Sequence, residues 1–487
     1  MDRRGFLKLG AQIAGGTALG AAGIAGVLNA AEGAYALERR RATQFTSILD
    51  GTPAESGIDT VVVVMMENRS FDSYLGWMGH EQRYLDAGRS RYGSEFRVLA
   101  NQHQSYRAPD GSIVQTAPHG EIAGPIDDFR GCGHPDPGHG WTQGRAERDG
   151  GFLDTGSGND PFALSYFSGH DLPVFNKLAK RFTIADRWNA SLLGPTYPNR
   201  LYLMSGQSGG YKYNYLPFAE DGYKWTSVFD RLSAKGVSVA DYASDFGPML
   251  LFGSHAVPWM RTNAAFHADA AAGTLPNVSF VDPAFLGANQ CDDHPLADPR
   301  AGQQFILDTF RTFVQSPQWQ RGMFIVVYDE WGGFFDHVAP PVLPDDLASA
   351  IDSENFGQAG FRVPAIIASP RALPGFVDHA QYDHTSVLRF LEWRFLGAPA
   401  HGPSGDPNNP WWLTSRDRYA KNLGRTLSAT AFDPDPRFDL NMPLPAPSAV
   451  CAPGGAPTVI GTHPFAAAVE HGYTDRVGYK LPTYAPA

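Results

Sequence analysis

Two apolar stretches of this sequence each end in a pair of side chains that can bind a cation through oxygen. Four consecutive valines precede Glu67-Asn68, and a second β-branched and aromatic run precedes Asp329-Glu330. Three carboxylates close together repel one another and would not stay ionised without a cation. All-oxygen donors suit Mg, Ca or Mn, and zinc also accepts carboxylates. The pattern predicts one divalent metal ion held by these four residues; the alternative is two polar turns, with Asp329 and Glu330 in surface ion pairs.

A threonine at a predicted helix start is the candidate nucleophile. Thr196 follows a tight Gly-Pro turn, Pro198 suits a first helical turn, and an apolar helix runs on to Gly206. Free backbone amides and the helix dipole favour an anion at such an end, so this hydroxyl is well placed to attack phosphorus. The alternative is that Thr196 only caps the helix.

The same segment also matches a sulfatase signature in part. Thr196-x-Pro198-x-Arg200 is similar to the Cys/Ser-x-Pro-x-Arg motif whose first residue is oxidised to formylglycine. Oxidation of threonine would give a ketone rather than an aldehyde. Sulfatase activity is therefore disfavoured, and direct attack by the hydroxyl is the better interpretation.

Three histidines in polar segments are candidates for phosphate binding or for a general acid. They are His139 in Asp-Pro-Gly-His-Gly-Trp, His294 in Asp-Asp-His-Pro and His384 in Tyr-Asp-His-Thr-Ser. Imidazole titrates near neutrality and can protonate a leaving alkoxide. Most of the 15 histidines in the chain must nevertheless be structural.

Short apolar strands alternate with helices along the chain, which predicts an α/β fold with a mostly parallel central sheet flanked by helices. Asp298 is the expected N-cap of the longest helix and Pro299 its first residue. The expected strands are 61–66, 237–242, 278–281, 322–328 and 363–368, and the expected helices are 171–181, 299–314 and 384–396. Parallel strands would bring Glu67-Asn68 and Asp329-Glu330 to the same edge of the sheet.

The first 36 residues are interpreted as a twin-arginine export signal. Arg3-Arg4 is followed by an Ala/Gly-rich apolar stretch and by Ala34-Tyr35-Ala36, which has the form of a cleavage site. The expected product is exported by the twin-arginine machinery to the periplasm, cell envelope or extracellular space. Residues 37–430 are predicted to form one catalytic domain with large loop insertions. A Pro/Ala-rich and irregular C-terminal tail, 431–487, is expected to pack on it.

Composition excludes some classes of partner. The net charge of −11 argues against nucleic acid and against binding to anionic membranes by bulk charge. The three cysteines, Cys132, Cys291 and Cys451, are too few for a disulfide framework. They allow one disulfide and leave one thiol, which we expect to be buried.

Five motifs occur together and in order, and they give the chain its resemblance to a known family. The first is Glu-Asn-Arg-Ser-Phe-Asp from Glu67, and the second is the Gly-Pro-Thr segment. The others are Asp-Asp-His-Pro, the Tyr-Asp-Glu-x-Gly-Gly-Phe-Phe-Asp-His-Val segment, and the long motif around His384. Over about 58–400 the chain resembles the bacterial phosphoesterase family of phospholipases C and acid phosphatases, in the alkaline-phosphatase-like superfamily.

The resemblance implies roles for particular residues. Glu67, Asn68, Asp329 and Glu330 match the ligands of a single metal ion, and Thr196 matches a nucleophile that also contacts the metal. His139 and His294 match histidines around the bound phosphate, and His384 lies in a family motif.

The expected activity is that of an exported, metal-dependent phospholipase C, which hydrolyses phospholipid through a phosphothreonine intermediate and makes peripheral contact with a membrane. Two alternatives are an acid phosphatase and a non-catalytic envelope protein that binds phosphate or lipid. The absence of any His-His pair, which some acid-phosphatase members carry, weakens the phosphatase alternative.

Overall fold

The consecutive valines near the start of the chain form the central strand of a large sheet. The protein is described here by a computed structural model covering residues 45–123, 129–217, 220–402, 411–447 and 463–482. The predicted export signal and Cys451 lie outside these residues. From Phe45 onward the chain forms one compact unit.

Eight strands make up the main sheet, in the order β8-β2-β7-β6-β1-β5-β3-β4. All neighbouring pairs are parallel except those made by β7, which is antiparallel to both β6 and β2. The strands are β1 Thr60–Met66, β2 Thr183–Ala185, β3 Val239–Ala243, β4 Met260–Thr262, β5 Val278–Asp282, β6 Gly322–Tyr328, β7 Ala365–Ala368 and β8 Val377–Asp378. This confirms the prediction of a mostly parallel sheet.

The α-helices surround this sheet. They are α1 Phe71–Leu75, α2 Gln82–Tyr92, α3 His119–Ala123, α4 Trp141–Gly150, α5 Pro173–Arg181, α6 Thr196–Ser205, α7 Val228–Ala234, α8 Asn263–Ala272, α9 Pro299–Gln315, α10 Thr385–Leu391, α11 Ser415–Tyr419, α12 Pro464–Glu470 and α13 Tyr473–Val477. A π-helical turn, Glu392–Leu396, continues α10.

Helices cover both faces of the sheet because successive side chains of a strand point to opposite faces. On one face, Phe310 of α9 packs edge-on against Phe324 of β6, with ring centroids 5.2 Å apart. On the other face, Leu203 of α6 lines a small cavity together with Val63 and Met65 of β1. The central strands are therefore buried on both sides, which explains why their sequences show no polar alternation.

The five predicted strands and three predicted helices all form, with small shifts at their ends. Asp298 caps α9 by accepting the Arg300 N–H at 2.9 Å, as expected. Three short strands of the main sheet were not predicted, since two or three residues carry no periodic signal: β2, β4 and β8. The C-terminal tail is less irregular than expected, because it contains α12 and α13, with Phe465 and Tyr473 buried in the core.

Only part of the cysteine prediction lies within the described residues. Cys132 is disulfide-bonded, whereas Cys291 is a free thiol. The Cys291 Sγ accepts the Ala284 N–H at 3.3 Å, and burial raises the pKa of this thiol.

A buried arginine joins the segments that follow β1 and β6. Arg362 donates to both carboxylate oxygens of Asp336, at 2.9 and 3.0 Å, and to Asp72 at 3.1 Å. It also donates to the carbonyl oxygens of Leu99 and Asp186. Asp72 thus braces the turn after β1.

Replacing Arg362 by methionine should lower the free energy of unfolding by about 3–5 kcal/mol, since two buried carboxylates would lose their cation. Urea denaturation measures the loss. The control is Arg321→Met, which breaks a half-exposed pair with Asp59 and should cost less than about 1 kcal/mol. Equal losses in the two variants would contradict the structural role of Arg362.

Candidate active site

The carboxyl ends of β1 and β6 lie side by side, because the two strands pair in parallel with Met66 opposite Tyr328. The Asn68 N–H donates to Asp329 Oδ1 at 3.2 Å, and the Arg69 N–H donates to the Glu330 carbonyl at 3.1 Å. Glu67, Asn68, Asp329 and Glu330 are each fully buried. The structure therefore places the four predicted ligands at adjacent strand ends, below the surface rather than in surface turns. The ligand atoms that group with Glu67 within 4.8 Å of one another are those of His294 and His463.

Two tight turns create this arrangement. Asn68 has φ of 60°, a left-handed conformation that asparagine tolerates better than most residues. Gly332 has φ of 62°, and a Cβ at this position would lie 2.2 Å from the Asn68 carbonyl oxygen. The Gly332 N–H donates to Glu330 Oε2 at 2.7 Å, which orients that carboxylate. Only glycine allows the two strand ends to approach this closely.

Thr196 is the first residue of α6, and Pro195 occupies the cap position. The Thr196 hydroxyl has no hydrogen-bond partner among the described residues and Pro195 is the cap, so the interpretation of Thr196 as a simple helix cap is wrong. Asn199 holds the preceding turn: its Oδ1 accepts the Leu192 N–H at 2.8 Å, and its amide donates to Gly194 O at 2.8 Å. The turn, rather than a hydrogen bond of its own, fixes the threonine hydroxyl.

The start of α6 offers an anion fewer amides than expected. The Tyr197 N–H already donates to Asn214 Oδ1 at 2.8 Å, and Pro198 has no N–H. Stabilisation of phosphoryl oxygens by this helix end is therefore weaker than the sequence suggested.

Arg200, one turn beyond Thr196 in α6, binds the acidic groups of the site. Its guanidinium lies 3.2 Å from Glu67 Oε1, 3.3 Å from Asp329 Oδ2 and 3.3 Å from Asp282 Oδ1, and it is almost fully buried. The cationic group that carboxylate repulsion requires is therefore supplied in part by the protein. Sequence reasoning noted Arg200 only within the sulfatase-like motif and missed this role.

Four buried oxygens of the predicted metal ligands have no hydrogen-bond partner among the described residues. Glu67 Oε1 still has an ion pair with Arg200, whereas three have no such contact: Asn68 Oδ1, Thr196 Oγ1 and Glu330 Oε1. Leaving buried polar atoms unpaired is costly, so such atoms indicate a missing ligand or water. All three belong to residues predicted to bind the metal, and hard cations prefer this kind of donor. The residues present therefore fit a divalent cation. The unpaired oxygens are stronger support for this cation than carboxylate repulsion is, because Arg200 already relieves part of that repulsion.

The carboxylates differ in their protonation. Burial would raise the pKa of Glu67, but His463 and Arg200 hold it at about 2. Burial and the charge of Glu67 raise the pKa of Asp329 to about 8, and burial with the charge of Asp329 raises that of Glu330 well above its usual range. A cation beside Glu330 would favour its ionised form.

His139 and His294 lie beside this cluster, with their rings nearly perpendicular and 5.9 Å apart. The Nδ1 of each bonds to a backbone carbonyl, that of Pro137 at 2.7 Å and that of Pro295 at 2.6 Å. Nδ1 must therefore carry a proton. The Nε2 of His139 faces the Asn68 side-chain amide at 3.4 Å, and the Nε2 of His294 lies 3.7 Å from Asp136 Oδ2. Burial lowers the pKa of His139.

His384 does not fit the predicted catalytic role. Its Nδ1 accepts the Trp188 Nε1–H at 3.2 Å, and its Nε2 bonds to the Asp329 carbonyl at 2.6 Å. Both ring nitrogens are occupied and the side chain is fully buried, so it has no proton to offer a substrate. Its pKa, lowered to about 3 by burial, agrees with a neutral ring that supports the Asp329 turn.

A fourth histidine reaches the site from the C-terminal tail. His463 Nε2 lies 2.7 Å from Glu67 Oε2 and 3.1 Å from Asp292 Oδ2. Its ring centroid is 4.9 Å from that of His294, so the structure forms a histidine pair that the sequence does not show as His-His. The only local signal was a His-Pro start to a helix, which could not locate the residue in three dimensions.

A buried polar site at the carboxyl ends of parallel strands is typical of α/β enzymes. The profile of the Phosphoesterase family matches residues 58–396. Non-specific phospholipase C1 of Arabidopsis thaliana is 29% identical over 87% of this chain and 80% of its own length. Non-specific phospholipase C4 of the same plant is 32% identical, over 70% and 69%. Phospholipase C B of Mycobacterium tuberculosis is 30% identical, over 77% and 78%.

The chain thus belongs to the Phosphoesterase family and is a hydrolase that acts on phosphoric ester bonds. The matched region ends before His463. The contribution of the C-terminal tail is therefore visible only in the structure.

Replacing His463 by alanine should weaken binding of a divalent cation by about 10–100-fold, because Glu67 would lose the group that orients it. Isothermal titration calorimetry with Mn²⁺ or Ca²⁺ measures this. His463→Gln can still donate to Glu67 and should recover part of the loss. The control is His471→Ala, an exposed histidine on the same segment; an equal loss there, or none in His463→Ala, would refute the role of His463.

Proposed function

We propose that this protein is an exported phospholipase C that converts phospholipid to diacylglycerol and a phosphorylated headgroup through a phosphothreonine intermediate. The observation that carries the proposal is the Thr196 hydroxyl, which is buried, unpaired and held at the start of α6 beside an acidic cluster. Its place at a helix start, one turn before the arginine that binds Glu67 and Asp329, distinguishes it from the other unpaired buried serine and threonine hydroxyls of the described residues, those of Thr183, Ser208 and Ser279. The names of the relatives at about 30% identity support the choice of phospholipid as substrate.

In this proposal Glu67, Asn68, Thr196, Asp329 and Glu330 hold one divalent cation, Ca, Mg, Mn or Zn. When bound, such a cation supplies positive charge that favours an ionised hydroxyl and neutralises phosphoryl oxygens. Arg200 helps to keep Glu67 ionised and holds Asp329 in place, and the Gly332 N–H orients Glu330.

The reaction then proceeds in two displacements at phosphorus. Thr196 Oγ1, ionised before the attack, forms a bond to phosphorus as the bond to the diacylglycerol oxygen breaks, and that oxygen takes a proton from Nε2 of a doubly protonated histidine. His294 is the first candidate, since its Nε2 faces the Asp136 carboxylate at 3.7 Å while Nδ1 is fixed on a backbone carbonyl. His139 is the second candidate, although its Nε2 faces the Asn68 side-chain amide at 3.4 Å. Water next attacks the phosphothreonine, the proton returns to the histidine, and the phosphorylated headgroup leaves.

An acid phosphatase is the second candidate. The ring centroids of His294 and His463 lie 4.9 Å apart, beside the predicted metal ligands. The lack of an adjacent His-His pair in the sequence is therefore no longer an argument against an acid phosphatase. Thr196 would be the nucleophile for a phosphomonoester and for a phosphodiester. The two activities would therefore differ in the pocket that binds the substituents on phosphorus.

The proposed location outside the cytoplasm rests on the N-terminal sequence, with its paired arginines and Ala-Tyr-Ala motif. No helix among the described residues is long and apolar enough to cross a membrane. We propose that residues 1–36 are removed on export and that 37–430 form the catalytic domain, with 431–487 packed on it.

Thr196→Val should lower kcat by at least about 1,000-fold, because the nucleophile is lost while the shape of the side chain is kept. Thr196→Ser should retain measurable turnover. Steady-state rates on p-nitrophenylphosphorylcholine measure the effect, with circular dichroism as the check on folding. A near-normal rate for Thr196→Val would exclude Thr196 as nucleophile.

The wild-type enzyme should hydrolyse p-nitrophenylphosphorylcholine at least tenfold faster than p-nitrophenyl phosphate, since the first is a diester. EDTA should abolish both activities, and added divalent metal should restore them. The reverse preference would favour the acid phosphatase, and activity unaffected by EDTA would argue against the metal.

A further inference from the structure

Most of the large apolar side chains exposed by the described residues gather on two loops. Seven such residues are exposed, and five of them form what we call the rim patch: Tyr213, Tyr215, Val342, Leu347 and Ile351. Tyr213 and Ile351 are the most exposed, at 63% and 64%. Single exposed apolar residues are ordinary on protein surfaces, but a cluster marks an interaction site.

The two loops form one surface. Lys212 Nζ donates to the Ser353 carbonyl at 2.8 Å and pairs with Glu354 at 2.7 Å. Across the same junction, the Leu347 side chain comes within 3.7 Å of the Cβ position of Gly210. These contacts join the two loops that carry the exposed apolar residues.

The rim patch is attached directly to the start of α6. Asn214, between the two patch tyrosines, accepts the N–H of Tyr197, the residue after Thr196, at 2.8 Å. On the other loop, Asp345 accepts a hydrogen bond from Tyr202 of α6 at 2.7 Å. The cluster therefore lies beside the candidate nucleophile rather than on a remote surface.

The chemistry of the patch suits a neutral membrane surface. Tyrosine is enriched where one end of a side chain is apolar and the other is hydrated, as at a lipid headgroup layer. The Tyr215 ring is stacked on Tyr211 at 4.6 Å, which holds it in place. The charges around the patch are nearly balanced, because Arg148 pairs with Asp352 at 2.8 Å and Lys212 pairs with Glu354 at 2.7 Å. The whole chain carries −11. An anionic surface would repel a chain with this net charge.

We propose that the rim patch docks the enzyme on a zwitterionic phospholipid surface and so places the start of α6 against the headgroups. The proposal rests on the phospholipase function proposed above. Sequence analysis predicted peripheral contact with a membrane, and we assign this contact to the 211–215 and 342–351 loops.

The test compares two double variants of the full chain on vesicles of phosphatidylcholine. Tyr213→Ser with Ile351→Ser removes the most exposed apolar groups of the patch. The matched control is Ile113→Ser with Phe432→Ser, which removes the two exposed apolar residues outside it. Vesicle cosedimentation measures binding. Hydrolysis of vesicle lipid is compared with that of soluble p-nitrophenylphosphorylcholine.

The rim variant should lose about tenfold or more in vesicle binding and in vesicle hydrolysis, while its rate on the soluble substrate stays unchanged. The control should match the wild type throughout. Unchanged vesicle binding in the rim variant would overturn the proposal, as would tighter binding of the wild type to phosphatidylglycerol vesicles. A shift from dimer to monomer without any vesicle effect would identify a self-association surface instead.

If the wild type hydrolyses neither substrate, the proposed function fails, whereas cosedimentation still decides the docking proposal.

Discussion

The site depends on one buried guanidinium. Arg200 contacts Glu67, Asp329 and Asp282, which come from the ends of β1, β6 and β5, three adjacent strands of the sheet. Without a cation at this point, the parallel strands would bring uncompensated carboxylates together in a region from which water is excluded. Because Arg200 belongs to the helix that begins with Thr196, the same interaction that neutralises the strand ends also sets the position of the threonine.

The neutralisation is incomplete, and this gives the site its chemical character. Arg200 and His463 face Glu67, whereas burial and the neighbouring carboxylates raise the pKa of Glu330. The unpaired oxygens of Asn68, Thr196 and Glu330 belong to this less compensated part. A divalent cation would bind these oxygens and balance the remaining negative charge. The donor atoms and the charge distribution are therefore two independent arguments for the same ligand.

Much of this could be predicted from sequence because it is encoded locally. Apolar runs that end in Glu67-Asn68 and Asp329-Glu330 specify buried strands with polar ends, and parallel pairing brings such ends to one edge. The Gly-Pro turn before Thr196 likewise fixes a helix start. Other features depend on contacts between distant segments: Arg200 requires the docking of α6 on three strands, and His463 requires the C-terminal tail to fold back onto β1. His384 was misjudged because a motif shows that a residue matters, but not whether its ring nitrogens face substrate or the protein interior.

The most direct test of the central claim is to trap the covalent intermediate. Enzyme mixed with phosphatidylcholine labelled in its headgroup is quenched in acid within the first turnover, digested, and sequenced by mass spectrometry. If Thr196 is the nucleophile, we expect the phosphorylcholine label on the peptide that contains Thr196, and no label on that peptide when Thr196→Val is treated identically. Label on another residue, or rapid turnover with no labelled peptide, would contradict it.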